Sequence, residues 1–464
     1  MDWNKLLYQY FGYEKLNNDQ EEILKSISNH QHHLILLPTG GGKSICFQLP
    51  VLAVNGKAVV ISPLIALMED QVATLKSKGI KATCIHSLMH PEEKRYILKN
   101  LHHFQFIYCS PEFALSPFGY QMLSKMPLTH FVIDEAHCIS DWGFEFRADY
   151  LKLSLLINQF PNAQVLALTA TANVFVQQDI INILKINMCI IDKSKKKPNV
   201  FLSTIEVDNI NEKIQLLKEI LKLSGPSIVY FSSKRICNEV AELLKENMNV
   251  ATYHADMHYE ERMKVQTQFL QDSIQIICAT SAFGMGVDKK NIRTIIHFHV
   301  SKSPSQFIQE IGRAGRDGKQ SQSIVLFEKQ DYFTNLNLIE MSPKVEDLHL
   351  YNRGLLVDEE KREQIEKMLS MYTFENLHKR FESNHIKQIQ HLDLMWRYLQ
   401  SNHCLTHFLT QHLLNMSQNN QDDSSCKSMC NHCKSQNFLT FQTNYQKIQK
   451  IDKEKLINQL FNNH

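Results

Sequence analysis

Residues 37–44 read Leu-Pro-Thr-Gly-Gly-Gly-Lys-Ser, between an apolar run at 34–37 and a segment, 45–49, that can continue as a helix. A glycine-rich turn joining a strand to a helix points backbone N–H groups inward, and the helix N-terminus adds partial positive charge. That is a cradle for phosphate, and it demands a strand behind it and a helix ahead. Thr39, Gly40, Gly41 and Gly42 form the cradle, Lys43 reaches the β- and γ-phosphates, and the Ser44 hydroxyl ligates Mg²⁺. Leu37 stands where the general pattern has glycine.

The rest of the first half fits such a fold. Short β-rich runs at 34–37, 58–62, 106–110, 131–134 and 165–169 alternate with helical patterns, which implies a parallel, doubly wound sheet. The basic, proline-containing stretch 193–199 reads as a linker. The pattern then restarts at 228–231, 251–253, 274–280, 294–298 and 324–327, predicting a second parallel-sheet domain. From about residue 341 strands vanish and apolar residues recur at helical spacing. The expected domains are therefore 1–197, 198–340, a helical subdomain over 341–434, and a short helical tail over 435–464.

Composition excludes several classes. At 464 residues the chain exceeds one core, and 43% hydrophobic with 21% charged residues reads as soluble and globular. No apolar run reaches the roughly 20 residues that span a bilayer, and the N-terminus lacks a signal-peptide layout. A net charge of +2 means that nucleic-acid contact must use local basic patches. Seven of the 11 cysteines are scattered singly up to Cys278, which predicts reduced thiols and a cytoplasmic setting.

A second motif complements the first. Phe131-Val132-Ile133-Asp134-Glu135-Ala136-His137 is an apolar strand ending in two acids and a histidine. At the carboxyl edge of a parallel sheet, Asp134 can hold Mg²⁺ and Glu135 can polarise an attacking water. Lys43 followed by Asp134-Glu135 is the order of an ATPase.

Longer blocks extend the pattern: Ile61-Ser62-Pro63-Leu64-Ile65-Ala66-Leu67-Met68-Glu69-Asp70-Gln71, Asp134 through Gly143, Ala282-Phe283-Gly284-Met285-Gly286-Val287-Asp288-Lys289, and Gln309-Glu310-Ile311-Gly312-Arg313-Ala314-Gly315-Arg316-Asp317-Gly318. In these the chain resembles RecQ-type DNA helicases of superfamily 2, closely over residues 6–330. The resemblance implies two RecA-like lobes and ATP-driven 3′→5′ movement on single-stranded DNA, with unwinding in repair or recombination. It implies that Tyr13 and Gln20 read adenine, although Asn17-Asn18-Asp19 departs from the family's pattern there. It also implies that Trp142, Phe146 and Arg147 sense DNA by stacking and charge, with Phe144 where the family carries histidine. Thr169-Ala170-Thr171 resembles the element coupling the two events. Arg313 and Arg316, three apart and so on one face of a helix, are read as fingers acting from the opposite lobe, with Gln309 in support.

The four late cysteines form a separate group. Cys426, Cys430 and Cys433 have the spacing to wrap one tetrahedral Zn²⁺, with Cys404 as fourth ligand and His403 and His432 as rivals. Many relatives continue with a winged-helix domain and a small helical nucleic-acid-binding domain; the residues after Cys433 are too few for either, so a short form is expected. ATP, Mg²⁺ and Zn²⁺ are the expected cofactors, and single-stranded and tailed or forked duplex DNA the expected partners of a monomer. Two alternatives stand beside this reading: a DNA-dependent translocase or strand-annealing remodeller with little unwinding, and a nucleic-acid-binding module without turnover.

Overall fold

The computed structural model describes residues 2–38, 40–63, 65–86, 89–140, 148–170, 172, 174–193, 199–283, 289–369, 372–413 and 429–433. The chain divides into two compact units, with the boundary between residues 196 and 197.

The first unit is built on seven strands: β1 His33–Leu36, β2 Ala58–Ile61, β3 Ala82–Ile85, β4 Phe106–Cys109, β5 His130–Ile133, β6 Gln164–Thr169 and β7 Cys189–Asp192. Their order is β3-β4-β2-β5-β6-β1-β7 and every pairing is parallel. Parallel strands need crossover helices, which cover both faces and bury both sets of side chains. Accordingly Leu34, Leu36, Val59, Ile61, Phe131 and Ile133 enter one core, while Ile35, Val60, Val132 and Leu166 enter the other. Helices Trp3–Phe11, Asn18–Ile27 and Lys43–Ala53 bring Leu7, Phe11, Ile23, Leu24, Phe47 and Leu49 to the second core.

The second unit carries β8 Val200–Glu206, β9 Ser227–Tyr230, β10 Val250–Tyr253, β11 Ile276–Ala279, β12 Thr294–His297 and β13 Ser321–Phe327. The order is β10-β11-β9-β12-β13-β8, again all parallel. Two parallel RecA-like sheets are thus present, as the strand–helix alternation predicts. Three strands, β3, β7 and β8, were not legible in it. β7 is an exposed edge with no buried face to generate a pattern. In β8 and β3 the polar Ser203, Thr204 and Thr83 interrupt the apolar run, yet the sheet buries them.

From residue 342 to 413 the described residues are mainly helical, with Phe374–Leu399 the longest element. Leu348, Ile365, Leu377 and Phe381 form a small core of their own. The long helix is joined to the sheet domain by ring contacts, Trp396 to Phe327 at 5.7 Å and Tyr398 to Phe307 at 5.2 Å. Lys213, fully buried, pairs with Asp331 at 2.8 Å and so ties helix Gln330–Met341 to helix Ile210–Lys222. Segment 429–433 docks on the open edge of β8: the Leu202 N–H donates to the Met429 carbonyl (2.8 Å), and the Asn431 N–H donates to the Leu202 carbonyl (3.1 Å). The expected tail over 435–464 lies outside the described residues.

Candidate functional site

In the first unit, β1, β5 and β6 are neighbours whose carboxyl ends open on one edge, where ligands bind in open α/β sheets. β1 leads into the glycine turn. Gly40 and Gly42 both have φ of +80°, which L side chains rarely adopt. A Cβ on Gly41 would lie 2.8 Å from Leu37 Cγ and 2.9 Å from the Pro38 carbonyl, so nothing larger fits. Helix Lys43–Ala53 begins directly after Gly42 and has no side-chain cap, leaving its first N–H groups facing the turn. Thr39 lies outside the described residues.

β5 delivers the acids. Lys43 Nζ donates to Glu135 Oε1 at 2.8 Å, with both side chains largely buried. Glu135 has a left-handed φ of +49°, a strain of the kind stored where geometry is over-determined. Asp134 Oδ1 accepts from the Glu135 N–H at 2.9 Å. Burial and then the neighbouring Glu135 push the Asp134 carboxyl up to about 6. Burial also opposes ionisation of Glu135, but Lys43 and His137 outweigh it and hold that carboxyl below the usual range. Glu135 Oε2 is buried without a hydrogen bond, and His137 Nδ1 stands 3.4 Å away. The same Nδ1 lies 3.0 Å from Thr169 Oγ1 at the end of β6. An uncapped helix start, a lysine, a carboxylate disfavoured as an anion and a second carboxylate held ionised by its neighbours together suit a polyphosphate with its divalent cation.

Gln20 sits against the turn, its Nε2 donating to the Gly41 carbonyl at 3.2 Å. Its other end closes a capping box: the Asn17 N–H donates to Gln20 Oε1 (3.1 Å) and the Gln20 N–H to Asn17 Oδ1 (2.8 Å). The departure at Asn17 therefore starts a helix that holds Gln20 beside the phosphate loop. Tyr13 is 60% exposed, leaving a ring face open. Trp142, Phe146, Arg147 and Thr171 lie outside the described residues.

In the second unit, Gln309 is on helix Pro304–Ile311, but Arg313 and Arg316 are not on a helix. The helix stops at Ile311, and the next residues form turns in which Gly315 and Gly318 take φ of +58° and +78°. A Cβ on Gly315 would collide with Asn199 and Ser321, so the bend is built into the packing. The i, i+3 spacing suggested one helical face; glycine-driven turns replace it. Gln309 and Arg313 are buried and Arg316 is half-buried.

Also in the second unit, Cys404, Cys430 and Cys433 bring their Sγ atoms within 4.8 Å of one another. Cys404 and Cys430 are 3.9 Å apart, near the roughly 3.8 Å edge of a tetrahedron with 2.3 Å Zn–S bonds and far from a disulfide. Three thiols in this arrangement fit a structural zinc ion. Cys426 lies outside the described residues, and His403 and His432 do not join the group.

Known proteins agree with this geometry. Residues 17–180 match the DEAD/DEAH box helicase family and 212–318 the helicase conserved C-terminal domain. The probable ATP-dependent DNA helicase RecS of Bacillus subtilis is 41% identical over 72% of this chain and 68% of its own length. The chain belongs to the RecQ family of ATP-dependent DNA helicases. The ATP-dependent DNA helicase RecQ of Haemophilus influenzae is 38% identical over 70% of this RecQ-family chain, which spans 53% of that relative. Among solved structures, Saccharomyces cerevisiae Dbp5 bound to RNA and ADP BeF3 shares the fold with TM-score 0.61 and 20% identity, over 72% of this chain and 89% of that one. Mycobacterium smegmatis helicase Lhr bound to single-stranded DNA and AMP-PNP gives TM-score 0.61 at 18% identity, over 76% and 52%. Among the described residues no helix is long and apolar enough to cross a membrane.

Sequence reasoning missed the His137–Thr169 contact and the Asn17 cap. The cap was readable in the spacing of Asn17 and Gln20; the His137 contact joins the short helix Ala136–Ile139 to the end of β6 and leaves no local signal.

Proposed function

We propose that the chain is an ATP-driven motor that moves 3′→5′ along single-stranded DNA and separates tailed or forked duplexes during repair or recombination. The observation that carries this reading is the buried Lys43–Glu135 pair at 2.8 Å beside Asp134, on the sheet edge that the glycine turn shares. When ATP enters, Lys43 is free to leave Glu135 for the phosphates, and the released carboxylate orients the attacking water. Ser44 and Asp134 would hold Mg²⁺, which neutralises charge on the phosphate oxygens. Tyr13 and Gln20 recognise adenine, with Thr39, Gly40, Gly41 and Gly42 around the phosphates. Arg313 and Arg316, supported by Gln309, answer charge on the transferring group; Trp142, Phe146 and Arg147 report DNA. Residues 1–197 and 198–340 act as motor lobes, while 341–434 forms a module in which Cys404, Cys426, Cys430 and Cys433 hold Zn²⁺.

The test pairs two assays on the purified chain. Phosphate release is measured with and without single-stranded DNA, and strand displacement on duplexes with a 3′ or a 5′ tail. DNA-stimulated hydrolysis with displacement only from the 3′ tail is expected. Hydrolysis indifferent to DNA, or preference for the 5′ tail, would overturn the proposal.

A further inference from the structure

Tyr230, the last residue of β9, is buried at 3% exposure and carries its hydroxyl into the interior. That hydroxyl donates to the Phe283 carbonyl at 3.2 Å. Phe283 immediately precedes the Gly284-Met285-Gly286 stretch. Burial above all pushes the phenol up, and Arg313, close enough to the same hydroxyl to oppose that rise, does not overcome it, so the phenol stays protonated and its bond to Phe283 persists across the working pH range.

The surroundings hold this arrangement in place. The Tyr230 ring stacks on His297, centroids 5.5 Å apart at 23°. His297 Nε2 lies 2.9 Å from the Glu310 carboxylate, which also receives Ser301 Oγ at 3.2 Å and Gln306 Nε2 at 2.9 Å. Glu310 sits at the end of helix Pro304–Ile311, three residues before Arg313. The backbone that carries Arg313 is thus fixed through Glu310, whose carbonyl accepts from the Arg313 N–H at 3.1 Å, and its side chain stands near the Tyr230 hydroxyl. A carboxylate in Tyr230's place would bind the guanidinium but subtract from its charge; a neutral phenol orients it and leaves the charge for a phosphoryl group.

We infer that Tyr230 is a positioning residue for Arg313, anchoring the guanidinium beside a hydroxyl that is itself fixed to the Phe283 carbonyl. This rests on reading Arg313 as a residue that stabilises the transferring phosphoryl group. The closing experiment is a double-mutant cycle on DNA-stimulated ATP hydrolysis with Tyr230→Phe, Arg313→Gln and the pair, together with melting of each protein. Tyr230→Phe removes one oxygen and keeps the ring, so folding is retained. It should lower kcat about tenfold or more with KM for ATP within about twofold. Added to Arg313→Gln, it should cost less than about twofold further, because the group it orients is already gone. Wild-type kcat in Tyr230→Phe, or the same fold loss in both backgrounds, would overturn the inference; the second result is what a purely structural role gives. Wild-type turnover in Arg313→Gln would instead sink the reading of Arg313 on which the inference rests.

Discussion

Acid should unfold the first unit, and His130 is the place to measure it. It opens β5 at the sheet edge opposite Asp134 and is buried at 5% exposure. Burial first, and His30 second, lower its pKa from 6.5 to about 4. A base with a depressed folded pKa binds fewer protons folded than unfolded between those values, so stability falls as pH drops through that window. At pH 5 the loss from this one group is about 2 kcal/mol, and at pH 7.5 it is close to nothing. Thr129 Oγ1 donates to the Lys57 carbonyl (3.0 Å) and lies 2.9 Å from His130 Nδ1, which is therefore its donor. His130→Asn can keep that donation through its amide while removing the titration. The lost ring volume costs the same at every pH and cancels in the comparison. For a unit of this size, about 2 kcal/mol corresponds to roughly 4–8 °C. Calorimetric melts at pH 7.5 and 5.0 should show the wild-type first-unit transition falling by that much more than the variant's. Parallel shifts in the two proteins would refute the argument.

Other predictions address the chemistry. Lys43→Ala should abolish turnover by losing nucleotide, whereas Glu135→Gln should still bind it and lose about 10²–10⁴-fold in kcat; equilibrium binding beside steady-state ATPase separates the two, and near-wild-type rates in either contradict the assignment. The cysteine group predicts one zinc ion per chain by elemental analysis, lost in Cys430→Ser together with part of the second unit's stability, since structural zinc contributes folding free energy. Protein purified without chelator and free of zinc would remove that site.

How much of this was legible depended on how local each signal is. The glycine turn, the acid pair and the apolar strands are contiguous, so their spacing predicted both sheets and the position of the phosphate cradle. What the sequence hid is long-range. Lys43 and Glu135 meet because the sheet order places β1 and β5 on either side of β6, and strand order is not written in any one segment. Arg313 and Arg316 misled because i, i+3 spacing implies a helix only while no glycine intervenes; Gly315, at a φ of +58°, turns the chain between them. Tyr230 looked like one more apolar strand residue, since its hydroxyl bonds to Phe283, 53 residues away in the chain.

The docking of segment 429–433 on β8 has a consequence for how the protein is made. Asn431 bonds to the Thr204 carbonyl across 227 residues of chain. At about 5–20 residues per second, the ribosome would present β8 roughly 10–45 s before the segment that covers its edge. Through that interval, a row of unsatisfied N–H and C=O groups is open to pairing with another nascent chain. If zinc is what gathers Cys404, Cys430 and Cys433, its supply during translation governs how soon that edge closes. Growth in zinc-poor medium should then yield insoluble protein, whereas stripping zinc from the finished molecule should not.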